Sequence, residues 1–228
     1  MELADQGSQS FTRISEGQQT NSALGYADVA LFFCCVLVLA LGSRIAVRLG
    51  IVSPATLENP SLAVQLILSA YLLAALYSIV RIRHGQNTRT RLGWTTPSPR
   101  YLAKAILGGL GLGLVVDLIA HASAVVSHPI RLWDFILLDT CLGPLIEESF
   151  FRGCLLPVIA RATGSAIAVV ATALLFAALH PMSTPLQFAC FTLTGVAYGR
   201  MQIKSGSTAA ATLMHATYNV ALFLSQIF

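Results

Sequence analysis

The chain has 228 residues, of which 55% are hydrophobic and 11% charged, with a mean hydropathy of +0.72. So few polar side chains could not cover the surface of a soluble domain of this length, so the composition points to a membrane protein. The net charge of +4 is too small to argue for nucleic acid as a partner.

In chain order, residues 1–25 are polar and rich in Ser and Gln, with no basic stretch leading directly into an apolar run. They are expected to form a mobile tail rather than a cleaved signal peptide. Apolar runs then follow at about 26–49, 61–80, 102–126, 133–160, 166–180, 186–202 and 207–227. A hydrocarbon core about 30 Å thick needs about 20 helical residues. The expected fold is therefore all-α, a polytopic bundle of about seven spans, six to eight, in which the short run 166–180 leans on its neighbours. Cys34, Cys35, Cys141, Cys154 and Cys190 lie in apolar runs without regular spacing or companion ligands. They read as small apolar residues rather than as disulfides or a zinc site.

Orientation comes from residues 81–104, which carry Arg81, Arg83, Arg89, Arg91, Arg100 and Lys104 and no acid. The positive-inside rule assigns this loop to the cytoplasm, with contact to anionic lipid headgroups as a secondary role. Threading seven spans from that anchor places the amino tail inside, Arg161 and Lys204 at cytoplasmic helix ends and the carboxy terminus outside. Arg44 and Arg48, at the outer end of the first span, run against this assignment. The glycines of 108–113 and the Gly195/Gly199 pair are expected to be small-residue packing faces and not a nucleotide loop.

Ionisable side chains are expensive in hydrocarbon, so each one within a span is a functional candidate. Asp117 and His121, four residues apart, are expected to form a local pair, and Asp139 to hydrogen-bond a neighbouring helix. The stretch Glu147–Gly153, EESFFRG, is different. Adjacent helical residues point about 100° apart, so Glu147 and Glu148 cannot serve one centre. Glu148 and Arg152 are four apart in the favourable acid-then-base order and can pair on one face, which leaves Glu147 free. Pro144 should loosen the helix where the acids enter.

Further along, FAALH places Phe176 one turn below His180, and HATYN places His215 and Asn219 on one face. With about 1.5 Å of rise per residue, Glu147 and His180 fall about 21 Å from the cytoplasmic boundary, Asn219 about 18 Å and His215 about 12 Å. A carboxylate and an imidazole can share a proton taken from water, and neutral donors can stabilise the oxyanion formed when that water attacks a carbonyl. His215 and Asn219 fit the donor role, and no Gly-x-Ser-x-Gly elbow offers a protein nucleophile.

The three motifs, Glu-Glu-x-x-x-Arg at 147–152, Phe-x-x-x-His at 176–180 and His-x-x-x-Asn at 215–219, resemble those of the CAAX protease and bacteriocin-processing (CPBP, Abi) family of intramembrane glutamic endopeptidases, which includes the Ras-converting CAAX endopeptidases. The resemblance covers about 133–228 and implies a catalytic four-helix core there. It leaves 26–132 as amino-terminal membrane helices around the basic loop. It implies that Glu147 and His180 activate water, that His215 and Asn219 form an oxyanion hole, and that Glu148 and Arg152, with Phe176 beside them, shape the site. The implied substrate is a peptide or a lipidated, prenylated CAAX-type protein tail met at the lipid bilayer, with no cofactor and no metal. Two alternatives stay open at this level: a zinc metalloprotease using Glu147, His180 and His215, and a non-enzymatic immunity or scaffold protein. The sequence indicates no oligomeric state.

Overall fold

The computed structural model describes residues 23–58, 60–122, 132–180 and 184–225. The expected tail thus falls outside the described residues except for its last three positions, as do 123–126 of the third apolar run and 226–227 of the last. Among the described residues the secondary structure is helical, with no strand. Seven helical segments account for the apolar runs: α1 Tyr26–Arg48, α2 Leu62–His84, α3 Pro99–Ala122, α4 over 132–163, α5 Ser165–Ala178, α6 Pro185–Ser205 and α7 Thr208–Ser225. Helices α1 and α2, and Pro99–Ile119 of α3, are long and apolar enough to cross a membrane. Only 11% of the apolar windows of α1 and α2 is buried within the protein. Exposed side chains such as Leu37, Val38, Leu107 and Leu118 fit a hydrocarbon surround, because in water they would leave an unusually large apolar surface.

Helix α4 is continuous but not uniform. Over Phe135–Leu142 and again over Ser149–Leu155 it opens to wide π-type turns, with ordinary α-helix between and after them. Each wide stretch ends on a hydrogen bond spanning five residues, Gly143 N–H to Leu138 O and Leu156 N–H to Phe151 O, and the next residue in each case is a proline. A proline ring clashes with the carbonyl four residues back, and opening the preceding turn relieves that clash. Pro144 therefore widens α4 immediately before the two acids, as its position in the sequence suggested.

Packing is closest where side chains are smallest. A Cβ on Gly113 would meet the Ala221 Cβ at 2.5 Å, and one on Gly109 would run into Thr217 and the Met214 carbonyl, so α3 lies directly against α7. Gly111, between them, faces open space. Gly195 and Gly199 seat α6 on Ala173 and Val169 of α5 in the same way.

The basic connector is shorter than the expected 81–104, because α2 runs on to His84 and α3 begins at Pro99. Its middle is not a free loop. Leu92 is fully buried, and its carbonyl lies where a Gly153 side chain would be, 2.6 Å from the Cβ position. The first turn of α7 is capped by this connector: Thr208 Oγ1 donates to Leu92 O at 2.7 Å, Thr208 N–H to Gly93 O at 2.8 Å and Ser207 Oγ to Thr95 O at 2.6 Å. Trp94 Nε1 donates to Ser149 Oγ of α4 at 3.2 Å. Nearby, Asp28 is buried and accepts from Arg83 Nε at 2.6 Å and pairs with His84 Nε2 at 2.9 Å, tying α1 to the end of α2. Arg161 Nη2 donates to Leu24 O and brings the end of α4 to the same place.

Candidate functional site

A cavity of about 300 Å³ opens between α4, α5, α6 and α7 and is lined by Asp139, Pro144, Glu147, Phe176, His180, His215 and Asn219, with Phe191, Tyr198 and Tyr218 among its aromatic walls. All four residues expected to carry the chemistry border this one space. Stacked rings of Phe135 and Phe223, 3.8 Å between centroids, form another part of its wall.

Glu147 comes from the tight α-helical turn between the two wide stretches of α4. Its Oε2, itself shielded from solvent, stands 3.8 Å from His180 Nε2, and the two side chains are 31% and 22% exposed. Glu147 Oε2 has no hydrogen-bond partner within the protein. His180 sits in the turn after α5, where its Nδ1 is 2.6 Å from the carbonyl of Phe176. A carbonyl oxygen only accepts, so Nδ1 carries a proton, and in the neutral ring Nε2 presents a lone pair toward Glu147. The ring is held flat by Phe191, stacked at 4.5 Å, and by the tilted Phe176 at 4.4 Å.

Glu148 points the other way and is fully buried, as is Arg152. Its Oε1 accepts from Arg152 Nη1 at 2.9 Å and from His215 Nδ1 at 3.0 Å. Arg152 Nη2 donates to the Gly195 carbonyl of α6 at 2.9 Å. The guanidinium also lies over the faces of Phe176 and Tyr198, at 4.8 and 5.3 Å from the ring centroids, where cation–π attraction in a dry setting adds to the pairing. Tyr198 stacks on His215 at 4.6 Å. The Glu148–Arg152 pair thus joins α4 to α6 and, through His215, to α7.

Asn219 is fixed by an unusual main-chain acceptor. Its Nδ2 donates to the carbonyl of Asp139 at 2.5 Å. In the wide register of α4 the next hydrogen bond would run from residue 144 to that carbonyl, and Pro144 has no N–H to give. The orphaned carbonyl takes the amide instead. The hydrogen bond to a neighbouring helix expected of the Asp139 side chain is made by its main-chain carbonyl instead, and the carboxylate borders the cavity. Asp117 accepts from Ser225 Oγ at 2.7 Å, and the side chain of His121, its expected partner, lies outside the described residues. Sequence reasoning did not anticipate Tyr198, Phe191 or Trp94. An aromatic at i+4 of Thr194 on a small-residue face was the only local hint of Tyr198.

Among the described residues no group of three His, Cys, Asp or Glu side chains converges as a metal ion would require. His215 Nδ1 is engaged by Glu148. The cysteines are free thiols, Cys154 being buried and Cys34 and Cys141 exposed.

Comparison with curated proteins and with solved structures returned no match. Residues 129–221 match the family model described as type II CAAX prenyl endopeptidase Rce1-like, a stretch that takes in α4, α5, α6 and most of α7 with every residue of the three motifs. The match supports a CAAX-type membrane protease (CPBP) family domain over residues 129–221, and that family implies a peptide hydrolase.

Proposed function

We propose that the protein is an intramembrane endopeptidase of glutamic type that hydrolyses a peptide bond in a peptide or prenylated CAAX-type protein tail with water activated by Glu147 and His180. The observation that carries this reading is the pairing of two acceptors, the Glu147 carboxylate and the His180 Nε2 lone pair, 3.8 Å apart on one cavity. A single water can donate a hydrogen to each, which leaves its own lone pair directed outward for attack. Its oxygen bonds to the scissile carbonyl carbon as one proton moves to Glu147. The C–N bond then breaks, and Glu147 returns that proton to the leaving amine.

The oxyanion formed in between needs donors already in place. Asn219 uses one amide hydrogen on Asp139 O and keeps the other for the substrate. His215 donates its Nδ1–H to Glu148, so a further hydrogen bond from Nε2 to the oxyanion needs the ring that keeps a proton on each nitrogen. That cation faces the Glu148 carboxylate on one side and the oxyanion on the other. In this reading α4 to α7 form the catalytic core, the bundle crosses the membrane about seven times, and the basic end of α2 and α3 faces the cytoplasm.

The test is cleavage of a prenylated CAAX-type peptide by membranes holding the protein. Glu147→Gln and His180→Ala should each lose activity by at least about 10³-fold while eluting as monodisperse protein with wild-type helicity. Full activity in either variant would end the proposal.

A further inference from the structure

A second site lies away from the catalytic cavity, at the end of the bundle where α6 terminates. Val196, Arg200 and Lys204 follow one another at four-residue intervals and form a ridge along α6. On one side of this ridge an apolar groove of about 360 Å³ runs between α6 and α3, floored by Ala197, Met201 and Met214, with Tyr101 and Lys104 at its mouth. On the other side a groove of about 280 Å³ runs between α6 and α5 along Ala166, Val169, Val170 and Ile203. Both grooves share Val196, Arg200 and Lys204.

Lys104, Arg200 and Lys204 are exposed, none pairs with an acid among the described residues, and no acid lines either groove. Lys104 Nζ is held 5.4 Å over the Tyr101 ring. A position in the last turn of α6 favours Lys204 through the helix dipole, but it accounts for neither Arg200, a turn earlier, nor Lys104 on another helix.

From two apolar grooves flanking one cationic ridge we infer a binding site for a diacyl anionic phospholipid that straddles α6. One acyl chain lies in each groove, and the phosphate sits on Arg200 and Lys204 with Lys104 beside it. The charge complementarity selects the headgroup, and the paired grooves select two chains over one. The site is independent of the catalytic reading and stands whether or not the protein cleaves peptides.

The experiment uses the full chain in nanodiscs containing equal amounts of phosphatidylglycerol and phosphatidylcholine, followed by release and native mass spectrometry of the lipid retained. The wild type should retain phosphatidylglycerol preferentially. In Arg200→Gln/Lys204→Gln that preference should fall about fivefold for each cation removed. Arg44→Gln/Arg48→Gln, an equal change of charge at the far end of α1, should leave it intact. Lysophosphatidylglycerol, with one chain, should compete less well than the diacyl lipid against the wild type, an arm that needs no variant. Equal retention of both phospholipids by the wild type, an equal loss of preference in the two double variants, or competition by the lyso lipid as strong as that of the diacyl lipid would overturn the assignment. So would an altered oligomeric state in Arg200→Gln/Lys204→Gln without any change in retained lipid, which would make this face a contact between copies.

Discussion

Glu147 and Glu148 are neighbours in the chain with opposite surroundings, and the difference sets their chemistry. One borders the cavity with an oxygen that no protein donor reaches. The other is sealed between Arg152 and His215. Burying both charges of the Glu148–Arg152 pair is expensive, and removing one partner from such a pair costs about 3–5 kcal/mol because the other is left uncompensated. Glu148→Gln should therefore lower stability by about that much in a denaturation assay in detergent, and Glu148→Gln/Arg152→Met should recover most of the loss. Recovered stability should not bring activity back. His215 would lack the carboxylate that orients it and balances its second proton, so cleavage by the double variant should remain about 10²-fold down, within the range expected for a lost oxyanion donor. A double variant as active as the wild type would show that Glu148 acts only as a structural partner of Arg152.

At the scale of single helices, α4 shows how a chain can aim a side chain through its backbone. Pro144 removes an N–H, the wide turn before it frees the Asp139 carbonyl, and Asn219 of α7 takes that carbonyl at 2.5 Å. Pro144→Ala restores a main-chain donor that competes for the same acceptor. The variant should fold with equal or higher stability, since a helix-interior proline is replaced by the best helix former. Its kcat should nonetheless fall about tenfold with KM little changed, part of the about 10²-fold expected from Asn219→Ala. Unchanged kcat in Pro144→Ala would show that Asn219 holds its place without the freed carbonyl. Much of the candidate site was legible in the sequence, because an i, i+4 relation on a helix is local. The Glu148–Arg152 pair, the Phe176–His180 contact and the common face of His215 and Asn219 follow from helical periodicity alone. The link from Asn219 to residue 139 joins positions 80 apart and has no such period, so only the packed structure reveals it. Tyr198, 17 residues before His215 and on another helix, escaped notice for the same reason.

For the whole molecule, the pattern of apolar runs located the helices, whereas the packing of the segment between α2 and α3 was not legible. Its arginines carry only a topological signal, yet the residues among them are built into the bundle. Leu92 is inserted against Gly153, the Leu92 and Gly93 carbonyls cap α7, and Trp94 reaches Ser149 one residue beyond Glu148. An isolated leucine between charges carries no periodic signal, and its burial is decided by partners 61 and 116 residues away. The consequence is mechanical: the same connector grips the start of the helix that carries His215 and Asn219 and the segment of α4 that carries the acids. Loosening it should disturb their alignment without touching either. Thr208→Val keeps the shape of the side chain but removes the donor to Leu92 O, and leaves that buried carbonyl short of a partner at about 1–3 kcal/mol. Leu92→Ala deletes a fully buried side chain at about 2–5 kcal/mol. Both variants should lower the melting temperature. Both should also reduce kcat at temperatures well below the transition, with amide exchange raised at the first turn of α7 relative to α5. If Leu92→Ala loses stability but keeps wild-type kcat and exchange on α7, the connector only plugs the end of the bundle, and the register of α4 against α7 is set by the Glu148–His215 contact and the glycine seam with α3.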